Sequence, residues 1–96
     1  MPTYIALLKW TSQGIANVRD SAKRLDAGRE AFAKAGAKLR DAYLTMGRYD
    51  LVIVIEAPDD ATYAKAVLGL GAQGSVSTET LKAFTEDEYR RIIGSL

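Results

Sequence analysis

Two short apolar segments, Thr3–Trp10 and Tyr49–Ala57, constrain the fold of this chain more than any other feature. Each is typical of a β-strand, yet neither alternates apolar with polar residues as a strand with one solvated face does. In the first segment, one face of the strand would carry Ile5 and Leu7 and the other Tyr4, Ala6, Leu8 and Trp10. In the second, one face would carry Leu51, Ile53 and Ile55 and the other Val52 and Val54. Both faces of the sheet therefore need a cover. We expect helices on one face and a second copy of the chain on the other, because closed two-fold pairing is the commonest form of self-association.

The segment after the first strand predicts one long amphipathic helix. Apolar residues recur there at helical spacing, at Ile15, Val18, Ala22, Leu25 and Phe32. Thr11 or Ser12 can cap the start of this helix, and Gly36 suits its carboxyl-terminal exit.

A hairpin is predicted next. Lys38–Thr45 alternates imperfectly and carries charge, which is typical of an exposed edge strand, with Leu39, Asp41, Tyr43 and Thr45 expected on one face. The segment "TMGR" contains Gly47 and connects this strand tightly to the β-branched run that begins at Tyr49.

Three further elements complete the chain. A second helix is expected after Asp59 or Asp60, either of which can cap it, and this helix should end in glycines. Its predicted inner face comprises Ala64, Val67 and Leu68. Gly74–Phe84 is rich in Ser and Thr and predicts a second edge strand, and "TEDE", Thr85–Glu88, is a capping box that opens a short terminal helix.

The order of elements is β-α-β-β-α-β followed by a helix, which predicts a single α+β domain over residues 1–96. This is the ferredoxin-like arrangement, with a four-stranded antiparallel sheet in which the apolar first and third strands are central. The polar second and fourth strands lie at the edges, where charge discourages pairing with foreign strands.

Composition excludes several chemistries. The chain has neither cysteine nor histidine, so it cannot use a Ser-His-Asp or Cys-His centre, a thiolate or an imidazole metal ligand. We predict no metal site and no bound cofactor. No apolar run is long enough to span a membrane, and "MPTYIALLKW" lacks the features of a leader peptide, so we expect a cytoplasmic protein without a membrane partner.

Charge is unevenly distributed along the chain. Residues 1–48 carry nine basic and four acidic side chains, a net charge of +5, whereas residues 49–96 carry four basic and eight acidic ones, a net charge of −4. Such asymmetry can indicate a nucleic-acid surface. Acidic residues are interspersed among the basic ones of the first half, however, so we predict no nucleic-acid partner.

The clearest candidate site is the triplet of Arg48, Tyr49 and Asp50 in front of the third strand. Alternation in a strand places Tyr49 and Asp50 on opposite faces, with Asp50 on the face of Val52. One reading makes Tyr49 or Asp50 a polar anchor in a pocket between sheet and helices. The other makes Asp50 a hairpin residue paired with an arginine and Tyr49 a core aromatic. Further candidates for ligand contacts are Lys9, Trp10 and Tyr43.

The segment "GLGAQG", Gly69–Gly74, matches a dinucleotide-binding pattern in the wrong context. That pattern needs a strand before it and a helix after it, and here a helix precedes and a strand follows. We interpret the segment as a helix end and loop whose glycines adopt positive φ.

The segment "GRYDLVIVIEAPDD" resembles the signature of the GYD-domain family, small bacterial and archaeal proteins named for a Gly-Tyr-Asp pattern, which stands here as Gly47, Tyr49 and Asp50. The resemblance extends to "LLKWTSQGI", "YLTMGRYD" and "STETLKAF". It implies a subunit of the dimeric α+β barrel type, with two sheets pairing face to face. The wider superfamily includes oxygenases and isomerases with a cleft between sheet and helices, several of which rely on a histidine that this chain lacks.

Three functions remain open at this point. The first is a homo-oligomeric module that binds a small molecule in the cleft, with Tyr49, Asp50, Lys9 and Trp10 as contacts. The second is a cofactor-independent monooxygenase or isomerase in which a desolvated Asp50 acts as base and Tyr49 or Arg48 stabilises an anion. The third is a purely structural interaction role.

Overall fold

The computed structural model describes residues 1–96 and contains one four-stranded antiparallel sheet with two long helices on one face. The elements are β1 (Thr3–Trp10), α1 (Ser12–Ala16), a 3-10 turn (Val18–Asp20), α2 (Ser21–Lys34), β2 (Lys38–Leu44), β3 (Leu51–Glu56), α3 (Asp60–Ala72), β4 (Val76–Ala83) and α4 (Glu86–Gly94). The strand order β2-β3-β1-β4 confirms the predicted ferredoxin-like α+β fold, with β1 and β3 central. None of the helices combines the length and apolar composition needed to cross a bilayer.

Strand register sorts the side chains onto two faces. Thr3 of β1 lies opposite Glu56 and Ala83, and Leu8 lies opposite Leu51 and Thr78, so β1 pairs along its length with both neighbours. Directly opposite residues share a face of the sheet. One face packs against α2 and α3. We call the other the open face; it is formed by Ile5, Leu7, Lys9, Asp41, Tyr43, Val52, Val54, Ser77, Glu79 and Leu81.

The core lies between the sheet and the helix pair. Its largest fully buried side chains are Phe32 of α2 and Ile53 and Ile55 of β3. Tyr63 of α3 stacks on Tyr4 of β1, with ring centroids 4.1 Å apart. Each large apolar side chain buried in this way contributes roughly 1.5–3 kcal/mol to stability, so this one layer holds both helices on the sheet.

The prediction of one continuous helix after β1 is wrong. The helix breaks at Asn17, whose backbone leaves the helical region, and Ile15 and Val18 are exposed instead of lying on an inner stripe. Tertiary contacts cause the break, because α1 is tied to the segment before β4. The Thr11 amide donates to the Ser75 carbonyl at 3.0 Å, and the Thr11 hydroxyl caps α1 as predicted. The expected glycine exit of α2 is confirmed at Gly36, with φ of +90°.

The face assignment of β2 is corrected at a β-bulge between Leu39 and Asp41. Leu39 is buried opposite Ile55, whereas Asp41 and Tyr43 lie on the open face. The extra residue in the bulge turns the following side chains to the other side of the sheet. The predicted grouping of Leu39 with Asp41 and Tyr43 therefore fails, although the edge position is confirmed.

The inner face of α3 also differs from the prediction. Asp59 caps the helix as expected, but Tyr63 and Val67 are the buried residues, while Ala64 is exposed and Leu68 is 72% exposed. The aromatic ring of Tyr63 fills the space above β1 and thereby sets the rotation of the helix. Gly69 and Gly71 lie inside α3, so only Gly74 of the "GLGAQG" segment has positive φ.

The terminal helix begins with the predicted capping box. The Thr85 hydroxyl accepts from the Glu88 amide, and the Glu88 carboxylate accepts from the Thr85 amide at 2.9 Å. No residue of α4 is buried. Its apolar side chains, those of Tyr89, Ile92 and Ile93, are 45–57% exposed.

Candidate functional site

The Arg48–Asp50 triplet lies in the connection between β2 and β3, and it precedes the strand, which begins only at Leu51. Gly47 has φ of +123°, a conformation that glycine adopts without steric cost. The Thr45 amide donates to the Asp50 carbonyl at 2.8 Å, and the Thr45 hydroxyl donates to the Tyr49 carbonyl at 2.6 Å. These bonds close the hairpin and fix the positions of the triplet.

Asp50 joins this connection to the end of β1. Its Oδ2 accepts from the backbone amide of Trp10 at 2.9 Å, and its own amide donates to the Leu8 carbonyl at 2.8 Å. The carboxylate therefore extends the β1–β3 pairing by one step beyond the last strand residues. This places Asp50 in the role of a backbone anchor.

Tyr49 lies on the open face. Its hydroxyl donates to the Glu79 carboxylate, and the Lys9 ammonium lies 5.6 Å from its ring centroid, within the range of a cation–π contact. Strict alternation would have put Tyr49 on the face opposite Val52, but residues before Leu51 do not follow strand alternation. The hydrogen bond to Glu79 raises the pKa of Tyr49, and burial adds to this, while Arg48 acts in the opposite direction.

The other candidate on the open face is Tyr43, which lies opposite Val52 and is 58% exposed. Between Tyr43 and Leu81 the face presents only aliphatic side chains, those of Ile5, Leu7, Val52 and Val54. Polar groups border this strip at one end, where Lys9, Tyr49 and Glu79 meet, and on the β2 edge, where Asp41 lies opposite Val54. The open face thus has an apolar centre and a polar margin.

Trp10 lies on the other side of the sheet, in a cleft between the sheet and α2. The apolar walls of the cleft include Leu8, Leu25, Phe32, Leu51 and Leu70, and its polar side chains are Ser21, Arg24, Gln73 and Ser75. The indole Nε1 is buried and has no hydrogen-bond partner. The cavity volume is about 40 Å³, and because one water needs roughly 10–15 Å³, the cleft is large enough for a few waters but not for a larger molecule.

Arg24 links this cleft to the break between α1 and α2. Its guanidinium donates to the carbonyls of Asn17 at 2.9 Å and Gly14 at 3.4 Å, which satisfies backbone groups at the end of α1. Arg24 is thus held at the mouth of the cleft by the broken helix.

A second polar cluster lies on the helix side, at the start of β1. The Tyr4 hydroxyl donates to Asp60, and Lys82 pairs with the same carboxylate at 3.0 Å. Burial, together with the bond to Asp60, raises the pKa of Tyr4 to about 12, and the bond from Tyr4 lowers the pKa of Asp60. Every polar group of this cluster has a partner, which is the pattern of a structural network.

The six predicted site residues do not converge on one cleft. Tyr49, Lys9 and Tyr43 lie on the open face, Arg48 is exposed in the hairpin connection, Asp50 binds the backbone of β1, and Trp10 alone lines the helix-side cleft. Sequence reasoning missed Glu79 and Arg24. Glu79 becomes visible only from the register that puts it opposite Leu7, and Arg24 only from the break in the helix.

Comparison with known proteins assigns the family. The family model for the GYD domain matches residues 4–93. A relative from Thermus thermophilus bears the name glutamine synthetase and cystathionine beta-lyase binding protein. It is 38% identical over 84 residues, which cover 86% of this chain and 88% of the relative.

Solved structures support the fold. A crystal structure of a protein from Thermus thermophilus has a TM-score of 0.57 and 26% identity, covering 88% of this chain and 95% of that one. The crystal structure of MtbAldR has a TM-score of 0.70 at 15% identity, a likeness in fold alone, and this chain spans 52% of it. The subunit fold is thus of the dimeric α+β barrel type, and on the match over residues 4–93 the chain belongs to the GYD domain family.

Proposed function

We propose that the chain is a self-associating protein-binding module, in which two copies pair through their open faces and the pair binds partner enzymes. The observation that carries this proposal is the uncovered apolar strip of Ile5, Leu7, Val52, Val54 and Leu81. A sheet with two apolar faces needs a cover on each, and α2 and α3 cover only one.

The arrangement of the open face suits a protein interface. Stable interfaces combine an apolar, aromatic-enriched centre with a polar rim. Tyr43 adds an aromatic ring beside the strip, and the cluster of Lys9, Tyr49 and Glu79 supplies a rim that is already hydrogen-bonded. In this reading the Arg48–Asp50 triplet is an interface element: Asp50 fixes the hairpin so that Tyr49 reaches the rim.

The partner class comes from the relative. That protein is named for binding glutamine synthetase and cystathionine beta-lyase, and it aligns with most of this chain. We expect this chain to bind at least one of the two purified Thermus thermophilus enzymes with a dissociation constant in the micromolar range or below, measured by biolayer interferometry. The Thermus relative serves as positive control. The relative binding both enzymes while this chain binds neither would contradict the proposal.

A second candidate function is the binding of a small molecule in the Trp10 cleft. It is favoured by the buried indole Nε1, which has no acceptor among the protein's own groups, so that an oxygen of a bound molecule could accept its hydrogen bond. A small, mostly apolar molecule with one acceptor oxygen would satisfy it after α2 shifts outward. The geometry gives less support to Asp50 as a catalytic base, since its Oδ2 already accepts from the Trp10 amide.

A single resonance tests this second function. Trp10 is the only tryptophan, so the protein has one indole N–H signal in a proton–nitrogen correlation spectrum. Titration with cyclohexanone, a small cyclic ketone, should shift that signal saturably in the wild type and not in Leu25→Trp, which fills the cleft and adds a second signal of its own. An unshifted indole signal at saturating ketone would argue against a ligand site.

A further inference from the structure

The segment Phe84–Leu96, here called the C-terminal arm, is a preformed helix with an unused apolar face. Tyr89, Ile92 and Ile93 are spaced by three and four residues, which places them on one side of α4, and Leu96, two residues beyond the end of the helix, continues this spacing. Together with Phe84 they are between 45% and 97% exposed. This spacing is the signature of a helix that lays one face against another protein surface.

The arm projects from the domain. The radius of gyration is 14.2 Å, whereas a compact chain of this length has about 12.5 Å, and the longest axis measures 49 Å. Side-chain bonds of the arm are all local: the capping box at Thr85, the pair of Arg90 with Glu86 at 2.8 Å, and the bond of the Ser95 hydroxyl to the Ile92 carbonyl. The helix is therefore ordered before it meets any surface, which lowers the entropic cost of docking.

We propose that the arm docks on a second copy of this chain and completes the interface that the open face begins. This inference rests on the proposed pairing of open faces. Four strands about 4.8 Å apart and about seven residues long give the open face a flat area of roughly 450 Å², and charged or polar residues such as Lys9, Asp41 and Glu79 occupy part of it. A stable interface buries about 800 Å² of accessible surface per partner, so a further apolar surface beside this face would add to the pairing.

Symmetry and charge identify the surface that the arm meets. A two-fold axis along the strands places the β4 edge of each copy over the β2 edge of the other. The arm begins after Ala83, the last residue of β4. Across the sheet Ala83 lies opposite Thr3, Thr3 opposite Glu56, and Glu56 opposite Lys38, so Ala83 and Lys38 lie at the same level along the strands. The acidic first turn of α4, Glu86–Glu88, then lies near Lys34 and Lys38 of the second copy, which are exposed and have no ion pair within their own chain, whereas Arg40 beside them pairs with Glu56. The opposite net charges of the two halves of the chain favour this arrangement.

Sedimentation equilibrium on the full chain tests the proposal with two matched variants. Ile92→Glu puts a carboxylate into the docked face and should weaken self-association by about 30-fold or more. Gly94→Glu adds the same charge on the opposite side of α4, where a Cβ meets no atom within 4 Å, and should change it by less than about threefold. Equal dissociation constants for the two variants would overturn the proposal.

Thiol labelling supplies a second readout with little perturbation, because the chain has no cysteine of its own. In the associated protein, Ile92→Cys should react with a maleimide much more slowly than Gly94→Cys, and dilution to the monomer should remove the difference. Equal labelling rates of the two cysteine variants in both the associated and the diluted protein would contradict docking.

If open-face substitution dissociates the protein while Ile92→Glu does not, the pairing of faces stands and the arm proposal fails. Loss of enzyme binding by Ile92→Glu with self-association unchanged would overturn docking on a second copy and assign the arm to another partner.

Discussion

Replacing Gly14 with alanine is expected to lower the free energy of unfolding by about 3 kcal/mol or more, a large share of the roughly 5–15 kcal/mol that stabilises a typical domain. An added Cβ would lie 1.9 Å from the Ser75 carbonyl oxygen and 3.3 Å from the Trp10 Cβ. Relief would require α1 to separate from Ser75. That movement would break the bonds of Thr11 to the Ser75 and Gly74 carbonyls, at 3.0 and 2.5 Å.

Gly69→Ala is the matched control for this prediction. Gly69 lies inside α3, and a Cβ there meets nothing within 4 Å, so alanine should stabilise the protein by about 0.5–1 kcal/mol through helix propensity. Urea unfolding followed by circular dichroism measures both variants. A Gly14→Ala protein as stable as the wild type would show that the contact of α1 with Ser75 does not limit the fold.

The second large effect is expected on self-association. Val52 lies in the centre of the open face, between Leu7 and Tyr43 on the neighbouring strands. Val52→Glu would place a carboxylate in the apolar centre of the proposed interface, at a cost of about 2–3 kcal/mol in each copy. Two-fold symmetry doubles the cost to about 4–6 kcal/mol, which weakens association by roughly three to four orders of magnitude.

Much of the fold could be predicted from the sequence, because local signals and the global fold agree. The lack of alternation in β1 and β3 indicates central strands, and the capping box at Thr85 and Glu88 marks the start of α4 by a purely local bond. The errors arise where tertiary contacts decide. Periodicity cannot reveal that Ser75 approaches Gly14 and ends α1, or that a bulge after Leu39 rotates the rest of β2.

The candidate site was less predictable than the fold. The place of Tyr49 before an apolar strand singles it out, but its face could not be derived, because strand alternation starts only at Leu51. Its partner Glu79 is thirty residues away and is brought close by the pairing of β1 with β4. Trp10 has a different surrounding from Lys9, its chain neighbour, since the two point to opposite faces.

Sedimentation equilibrium at micromolar concentration tests the pairing of open faces most directly. The wild type should have twice the chain mass of 10.4 kDa, as should Leu68→Glu, a control that adds the same charge at an exposed apolar residue of α3. Val52→Glu and Leu81→Glu, the latter at an edge position that tolerates charge, should remain folded and have the mass of one chain. A wild type with the mass of one chain, or folded Val52→Glu and Leu81→Glu proteins that associate like the wild type, would contradict the account.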